Sequence, residues 1–210
     1  MLPDTRSGEM QKLLVLDIDQ TLVHACDRPS SKRVHDFVIQ LRGGQPAFYV
    51  FKRRGLDEFL SHAVRLKELH GLKLAIWTAA ERTYAVKILD NIWPGWQRHL
   101  LFLRHRSHCT MLPDGMFVKE LGRIPGEHDV LLVDDNPDTY ALNTRRGFSV
   151  WKSAPYSAGS MDTELNDVLR FLHQYVKHDR PFPTRPKLLV SRQKTRSTSA
   201  RSLKPVPKRS

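Results

Sequence analysis

The chain has 210 residues, 40% of them hydrophobic, and a formal net charge of +12, enough to bury one good-sized core with or without a tail. No apolar run approaches the ~20 residues of a membrane-spanning helix, and the polar opening from Met1 to Gln11 lacks the hydrophobic segment of a secretory signal. Two cysteines, Cys26 and Cys109, do not make a disulfide framework, so we expect a soluble intracellular protein of the nucleus or cytoplasm. The charge is unevenly spread: from His178 to Ser210 there are ten Lys/Arg against one acid, Asp179, which is +9 of the +12. The remainder is close to balance.

In chain order, Leu13 to Leu16 form an apolar run too brief for a helix and suited to a strand buried on both faces. It ends in two carboxylates one residue apart, Asp17 and Asp19, with Thr21 behind them. A polar stretch from Asp27 to His35 follows. Phe37–Leu41 and Ala47–Phe51 then flank Gly43-Gly44, which predicts a β-hairpin inserted before the first long helix. Leu56, Phe59, Leu60, Ala63 and Val64 recur at helical spacing until Gly71 stops them. Leu72 to Trp77 is a second core strand, ending in Thr78. Tyr84, Ala85, Ile88 and Leu89 share one face of a second helix, broken by Pro94-Gly95.

Leu100 to Leu103 is a further strand, and Pro113-Asp114-Gly115 is a turn signal before Met116–Lys119. Val130 to Val133 is the third strongly apolar strand. It ends in Asp134-Asp135, with Pro137 placed to start a helix. Phe148 to Trp151 is another strand, and Met161, Leu165, Val168, Leu172 and Val176 mark a final amphipathic helix. The Pro- and Ser-rich basic segment beyond it buries too little to offset its chain entropy and reads as disordered. We therefore expect a domain over residues 8–177 and a tail over 178–210.

Strands alternating with helices predict an α/β fold, mostly parallel, with helices on both faces. The carboxyl ends of parallel strands gather at one edge. Asp17 and Asp19, Thr78, and Asp134 with Asp135 should therefore converge, with Lys119 as the lone cation. Four carboxylates in one place need a counter-charge, which Lys119 and a divalent ion would supply. Hard oxygen ligands favour Mg²⁺. The chemistry suited to this set is phosphoryl transfer, with Asp17 as nucleophile, Asp19 as acid and base, and Thr78 and Lys119 binding the phosphoryl oxygens.

Asp17-Ile-Asp-Gln-Thr-Leu22, Trp77-Thr-Ala79, Val118-Lys-Glu-Leu121 and Val133-Asp-Asp-Asn-Pro137 resemble the four motifs of the haloacid dehalogenase superfamily. The nearer resemblance is to its carboxy-terminal-domain phosphatases of the FCP/SCP type, carried also by Lys52–Leu60, Arg106-Ser-His-Cys109 and Asp162–Asp167. It implies a Rossmann-like fold with a small β insertion after the first motif. It also implies an aspartyl-phosphate on Asp17 and Mg²⁺ held by Asp17, Asp135 and the backbone carbonyl of Asp19. Asp134 falls within the last motif and joins the catalytic set. The implied function is a Mg²⁺-dependent protein serine/threonine phosphatase, a monomer acting on a phosphoprotein such as a phosphorylated disordered tail. Gln20, Asp135 and Arg54-Gly55 depart from the commonest family residues, and the polar run after Asp27 stands where relatives often carry apolar residues.

Other readings were open. His24, Cys26, His105, His108 and Cys109 supply zinc-ligand types but lack the tight paired spacing of structural zinc motifs. Trp93 and Trp96 read as a packed loop. The basic tail admits nucleic-acid contact, and with it a phosphatase acting on nucleic-acid ends or nucleotides. A catalytically silent scaffold binding phosphorylated partners is the third alternative.

Overall fold

The computed structural model describes residues 10–31, 33–41, 47–143, 147–178 and 180–183. The chain runs through β1 (Gln11–Leu16), β2 (Val23–Cys26), β3 (Phe37–Ile39), β4 (Phe48–Lys52), α1 (Leu56–His70), β5 (Lys73–Trp77) and α2 (Arg82–Ile92). It continues through β6 (Leu100–Arg104), β7 (Thr110–Met111), β8 (Phe117–Val118), β9 (His128–Asp134), α3 (Pro137–Leu142), β10 (Phe148–Lys152) and α4 (Glu164–Val176). Five strands form one parallel sheet in the order β10-β9-β1-β5-β6.

The apolar run after Lys12 is the centre of that sheet. Leu13 to Leu16 pair with Lys73–Ile76 on one side and Val130–Val133 on the other. Successive side chains of a strand point to opposite faces. Leu14 and Leu16 therefore enter the core under α1, α2 and α4, while Leu13 and Val15 enter a second core with Trp77, Leu121 and Ile124. All four are essentially inaccessible to solvent, and each such side chain contributes roughly 1.5–3 kcal/mol over exposure. The three long helices thus share one face. The other is covered largely by the segment around Leu121–Ile124, which Asn143, at the end of α3, holds by accepting the Leu121 amide at 2.8 Å.

Helix α1 ends where Gly71 turns left-handed (φ 70°) and gives its amide to the Lys67 carbonyl at 3.0 Å, a closure that favours glycine. Pro137 is the first residue of α3, as its fixed φ suits. Trp93 and Trp96 are buried in a packed loop, with the Trp96 indole donating to Asp90 at 2.9 Å.

The insertion is larger than a hairpin. β3 and β4 pair antiparallel, and β2 pairs with the other edge of β4 to complete a three-stranded sheet. His24 and Cys26 broke the apolar pattern that would have marked β2 as a strand. The turn at Gly43-Gly44 lies outside the described residues. Met161 precedes α4 and is exposed, so it is not part of that helix's apolar face. The packed body also passes Lys177. Phe182 is buried against Phe171 and Tyr175, and its amide donates to Asp129 at 2.8 Å. A lone Phe among prolines carried no periodic signal, so the expected boundary at residue 177 falls short. The remainder of the expected tail, 184–210, lies outside the described residues.

Candidate active site

The carboxyl edge of the parallel sheet collects the residues that the strand pattern singled out. Asp17 follows the last residue of β1 and donates its amide to the Val133 carbonyl at 3.0 Å, which continues the β1–β9 ladder by one step. Thr78 follows β5, and its amide reaches the Arg104 carbonyl at 3.0 Å. Asp134 ends β9, and Asp135 comes next. Lys119 arrives from a different direction, immediately after β8. Asp17, Asp19, Thr78, Lys119, Asp134 and Asp135 all line one cleft, together with Arg106, Met116 and Phe117.

Lys119 is buried between two acids. Its ammonium donates to Asp17 Oδ1 at 2.6 Å and to Asp134 Oδ2 at 2.8 Å. Asp134 Oδ1 accepts the Asn136 amide at 2.9 Å, so both Asp134 oxygens are engaged by the protein. Burial pushes the Asp17 carboxyl up to about 8, with the charges of Asp134 and Asp19 adding to it against the pull of Lys119. Asp135 is pushed up to about 6, by burial first and then by Asp134. Burial by itself would lower the Lys119 ammonium, but Asp17 and Asp134 outweigh it and raise it. The cluster therefore holds more negative charge than its single ammonium balances.

Asp19 sits on a chain held in an unusual shape. The next residue, Gln20, has φ 57°, the positive-φ non-glycine residue among those described. The Gln20 carbonyl accepts the Tyr156 amide at 2.7 Å and an Arg53 nitrogen at 3.3 Å, and its amide donates to the Val23 carbonyl at 2.7 Å. Such strain persists where surrounding bonds over-determine the conformation. Tyr84 donates its hydroxyl to Asp19 Oδ1 at 2.5 Å. Burial raises the Asp19 carboxyl, with Tyr84, Lys119 and His24 opposing.

The Thr78 hydroxyl accepts the Ala80 amide at 3.0 Å, which leaves its own proton to donate into the cleft. Helix α2 begins only at Arg82, so a short turn separates Thr78 from the helix. Arg106, exposed at the rim, lies over the Phe117 ring at 5.2 Å and pairs with Glu81 at 3.1 Å.

The donor set suits a hard divalent cation. Asp17, Asp134 and Asp135 each offer a carboxylate oxygen, all within 4.8 Å of one another. Because Asp134 is already committed to Lys119 and Asn136, Asp17 and Asp135 are the acids with the greater freedom to bind an ion. An all-oxygen set of this kind matches Mg²⁺. His24 and Cys26 lie on β2, whereas His105, His108 and Cys109 lie beyond β6. Among the described residues the only metal-capable group of three is the carboxylate one, so the zinc reading is not supported.

Three supporting residues were not singled out in the sequence as parts of the site. In the sequence Tyr84 stands at an apolar position of α2, Arg53 lies within the Lys52–Leu60 motif, and Asn143 belongs to no motif. The buried Asn143 carboxamide donates to the Lys119 carbonyl at 2.6 Å and to the Thr139 carbonyl at 2.7 Å, tying the lysine segment to α3. An isolated Asn carries no periodic signal. Arg53, by contrast, is a cation directly after a strand, which is a detectable anomaly.

A five-stranded parallel sheet with paired acids at its carboxyl edge and a β insertion after the first strand defines a haloacid dehalogenase-type fold. The fold is matched by fission yeast Fcp1, an RNA polymerase II CTD phosphatase solved bound to beryllium fluoride, with a TM-score of 0.53 and 20% identity. That match covers 91% of this chain and 56% of the other. A second Fcp1 structure matches with a TM-score of 0.53 at 22% identity, over 94% of this chain and 56% of that one. The profile of the NLI interacting factor-like phosphatases matches residues 12–180, and the chain belongs to that family. The human carboxy-terminal domain RNA polymerase II polypeptide A small phosphatase 1 is 29% identical over 183 residues, covering 85% of this chain and 65% of the relative. Nuclear envelope morphology protein 1 of Schizosaccharomyces pombe is 31% identical over 179 residues, covering 80% of this chain and 34% of the relative. The chain thus spans less than two thirds of the length of these curated relatives. Among the described residues no helix is long and apolar enough to cross a membrane.

Proposed function

We propose that this chain is a Mg²⁺-dependent protein phosphatase that hydrolyses phosphoserine and phosphothreonine through an aspartyl-phosphate on Asp17. The observation that carries the reading is Asp17 itself: a buried carboxylate at a strand end, 2.6 Å from Lys119 and facing the cleft that Asp19, Thr78 and Asp135 share. Membership of the NLI interacting factor-like phosphatases, and the human relative named as a small phosphatase, support the reaction class.

In the first half-reaction Asp17 attacks phosphorus, the bond from phosphorus to the seryl or threonyl oxygen breaks, and Asp19 gives that oxygen its proton. In the second, water attacks phosphorus, Asp19 takes a proton from it, and Asp17 leaves as a carboxylate. Lys119 and the Thr78 hydroxyl stabilise charge on the phosphoryl oxygens throughout. Asp17, Asp135 and the Asp19 backbone carbonyl would hold Mg²⁺, which would supply further positive charge to the site.

The test is turnover of the full chain with Mg²⁺ on a panel of phosphopeptides and phosphorylated oligonucleotides. Phosphopeptide hydrolysis is expected, silenced by chelation and reduced by at least about 10⁴-fold in Asp17→Asn. Preference for oligonucleotide ends over every phosphopeptide would replace the protein substrate with a nucleic-acid one. Turnover within a few-fold of wild type in Asp17→Asn would remove the covalent step.

A further inference from the structure

The buried hydroxyl of Tyr84 donates to a carboxylate that faces the cleft, while Tyr84 itself does not line it. Its partner, Asp19, is bonded through one oxygen only at this contact, Oδ1, at 2.5 Å. A hydroxyl donates a stronger hydrogen bond to a carboxyl oxygen when that carboxyl is ionised than when it is protonated. The ring is held from a second element. Phe48 of β4 meets it edge to face, with centroids 5.7 Å apart and planes at 81°. β4 is the middle strand of the insertion sheet, so the hydroxyl is aimed jointly by α2 and the insertion. The Asp19 backbone is fixed as well, by the left-handed Gln20 that Arg53 and Tyr156 hold.

We infer that Tyr84 is a positioning residue for Asp19: by occupying Oδ1 it assigns proton transfer to Oδ2 and fixes where Oδ2 stands. A planar carboxyl with its backbone fixed and one oxygen pinned has one location left for the other. The inference rests on the reading of Asp19 as the acid and base of the proposed reaction. As the seryl oxygen leaves phosphorus, the proton on Oδ2 passes to it and the carboxyl becomes a carboxylate. The Tyr84 hydrogen bond to Oδ1 strengthens as that charge appears, so it stabilises the transition state more than the ground state. When water later attacks the aspartyl-phosphate, Oδ2 accepts its proton and the cycle closes. Tyr84 neither gains nor loses a proton.

The experiment compares kcat/KM of wild type, Tyr84→Phe and Asp19→Asn across a series running from a dinitrophenyl phosphate to a phosphoserine peptide. The dinitrophenolate departs unprotonated, whereas the seryl oxygen needs a proton. Tyr84→Phe keeps the ring and its contact with Phe48. It is expected to lose about 10-fold on the phosphoserine peptide, the scale of one charge-assisted hydrogen bond. On the dinitrophenyl ester it should stay within about 3-fold of wild type. Asp19→Asn should show the same selectivity more steeply. If Asp19→Asn is selective but Tyr84→Phe loses activity evenly or not at all, the inference is overturned and the acid–base reading stands. Should Asp19→Asn itself show no selectivity, the acid–base reading fails and takes the inference with it. Phe48→Ala, which keeps the hydroxyl but frees the ring, is a second probe. Its loss should be smaller and equally selective, and an even loss would count against positioning.

Discussion

Two buried cations bond to the chain just after β1, and they are solvated by the protein in opposite ways. Arg53 is almost inaccessible and spreads its guanidinium over the carbonyls of Gln20, Thr21 and Ala154, the Ser153 hydroxyl and the half-buried Asp162. Lys119 is equally buried but faces two buried carboxylates, Asp17 and Asp134. The Arg53 fork distributes one charge over mostly neutral acceptors in a fixed plane, and so ties the first-motif loop to the segment after β10. The Lys119 ammonium is a point charge set where carboxylates outnumber it. The guanidinium is fully engaged. The Lys119 site is short of positive charge, which is the condition under which a bound cation gains most.

The comparison can be broken at either cation. Of the two cations, the larger loss of activity should follow Lys119→Met, which is expected to lower phosphatase turnover by roughly 10²–10³-fold. Its melting temperature should fall only modestly, because Asp17, already pushed up to about 8, can take a proton and relieve the unpaired charge. Arg53→Met should do the reverse. It takes the Arg53 donors from the carbonyls of Gln20, Thr21 and Ala154, which cannot titrate, at a cost of roughly 3 kcal/mol in denaturant unfolding, and its folded fraction should lose less turnover than that of Lys119→Met. A Lys119→Met protein that unfolded more readily than Arg53→Met would erase the distinction.

A smaller effect sharpens it from the far end of the sheet. Phe182 packs at the amino end of β9 beside Asp129, five residues before Asp134, the first acid of the site on that strand. Phe182→Ala should cost about 2 kcal/mol of stability, while kcat of the folded protein stays within about 2-fold. A larger loss of kcat at a temperature where the variant is fully folded would couple that end of the sheet to the chemistry.

Much of the fold was legible because it follows from local repetition. Leu13–Leu16 and Val130–Val133 are runs that only a strand covered on both faces can bury, and α1 announced itself by spacing and by Gly71. The candidate acids were legible for the same reason: each stands where an apolar strand stops, and parallel strands stop at one edge. β2 was not legible, because His24 and Cys26 interrupt its pattern and its partner β4 lies more than twenty residues away. Phe182 was hidden by the prolines around it, and Met161 was drawn into α4 by spacing alone.

The sequence by itself determined which residues meet, since strand ends and their order are properties of the chain. Only the tertiary structure decided how they meet. It set Lys119 between Asp17 and Asp134, turned Asp19 toward Tyr84, and hung the Lys119 segment on Asn143. Those contacts join residues far apart in sequence through single hydrogen bonds. A hydrogen bond has a direction and a reach of about 3 Å but no period along the chain, so no pattern in the sequence could have announced it.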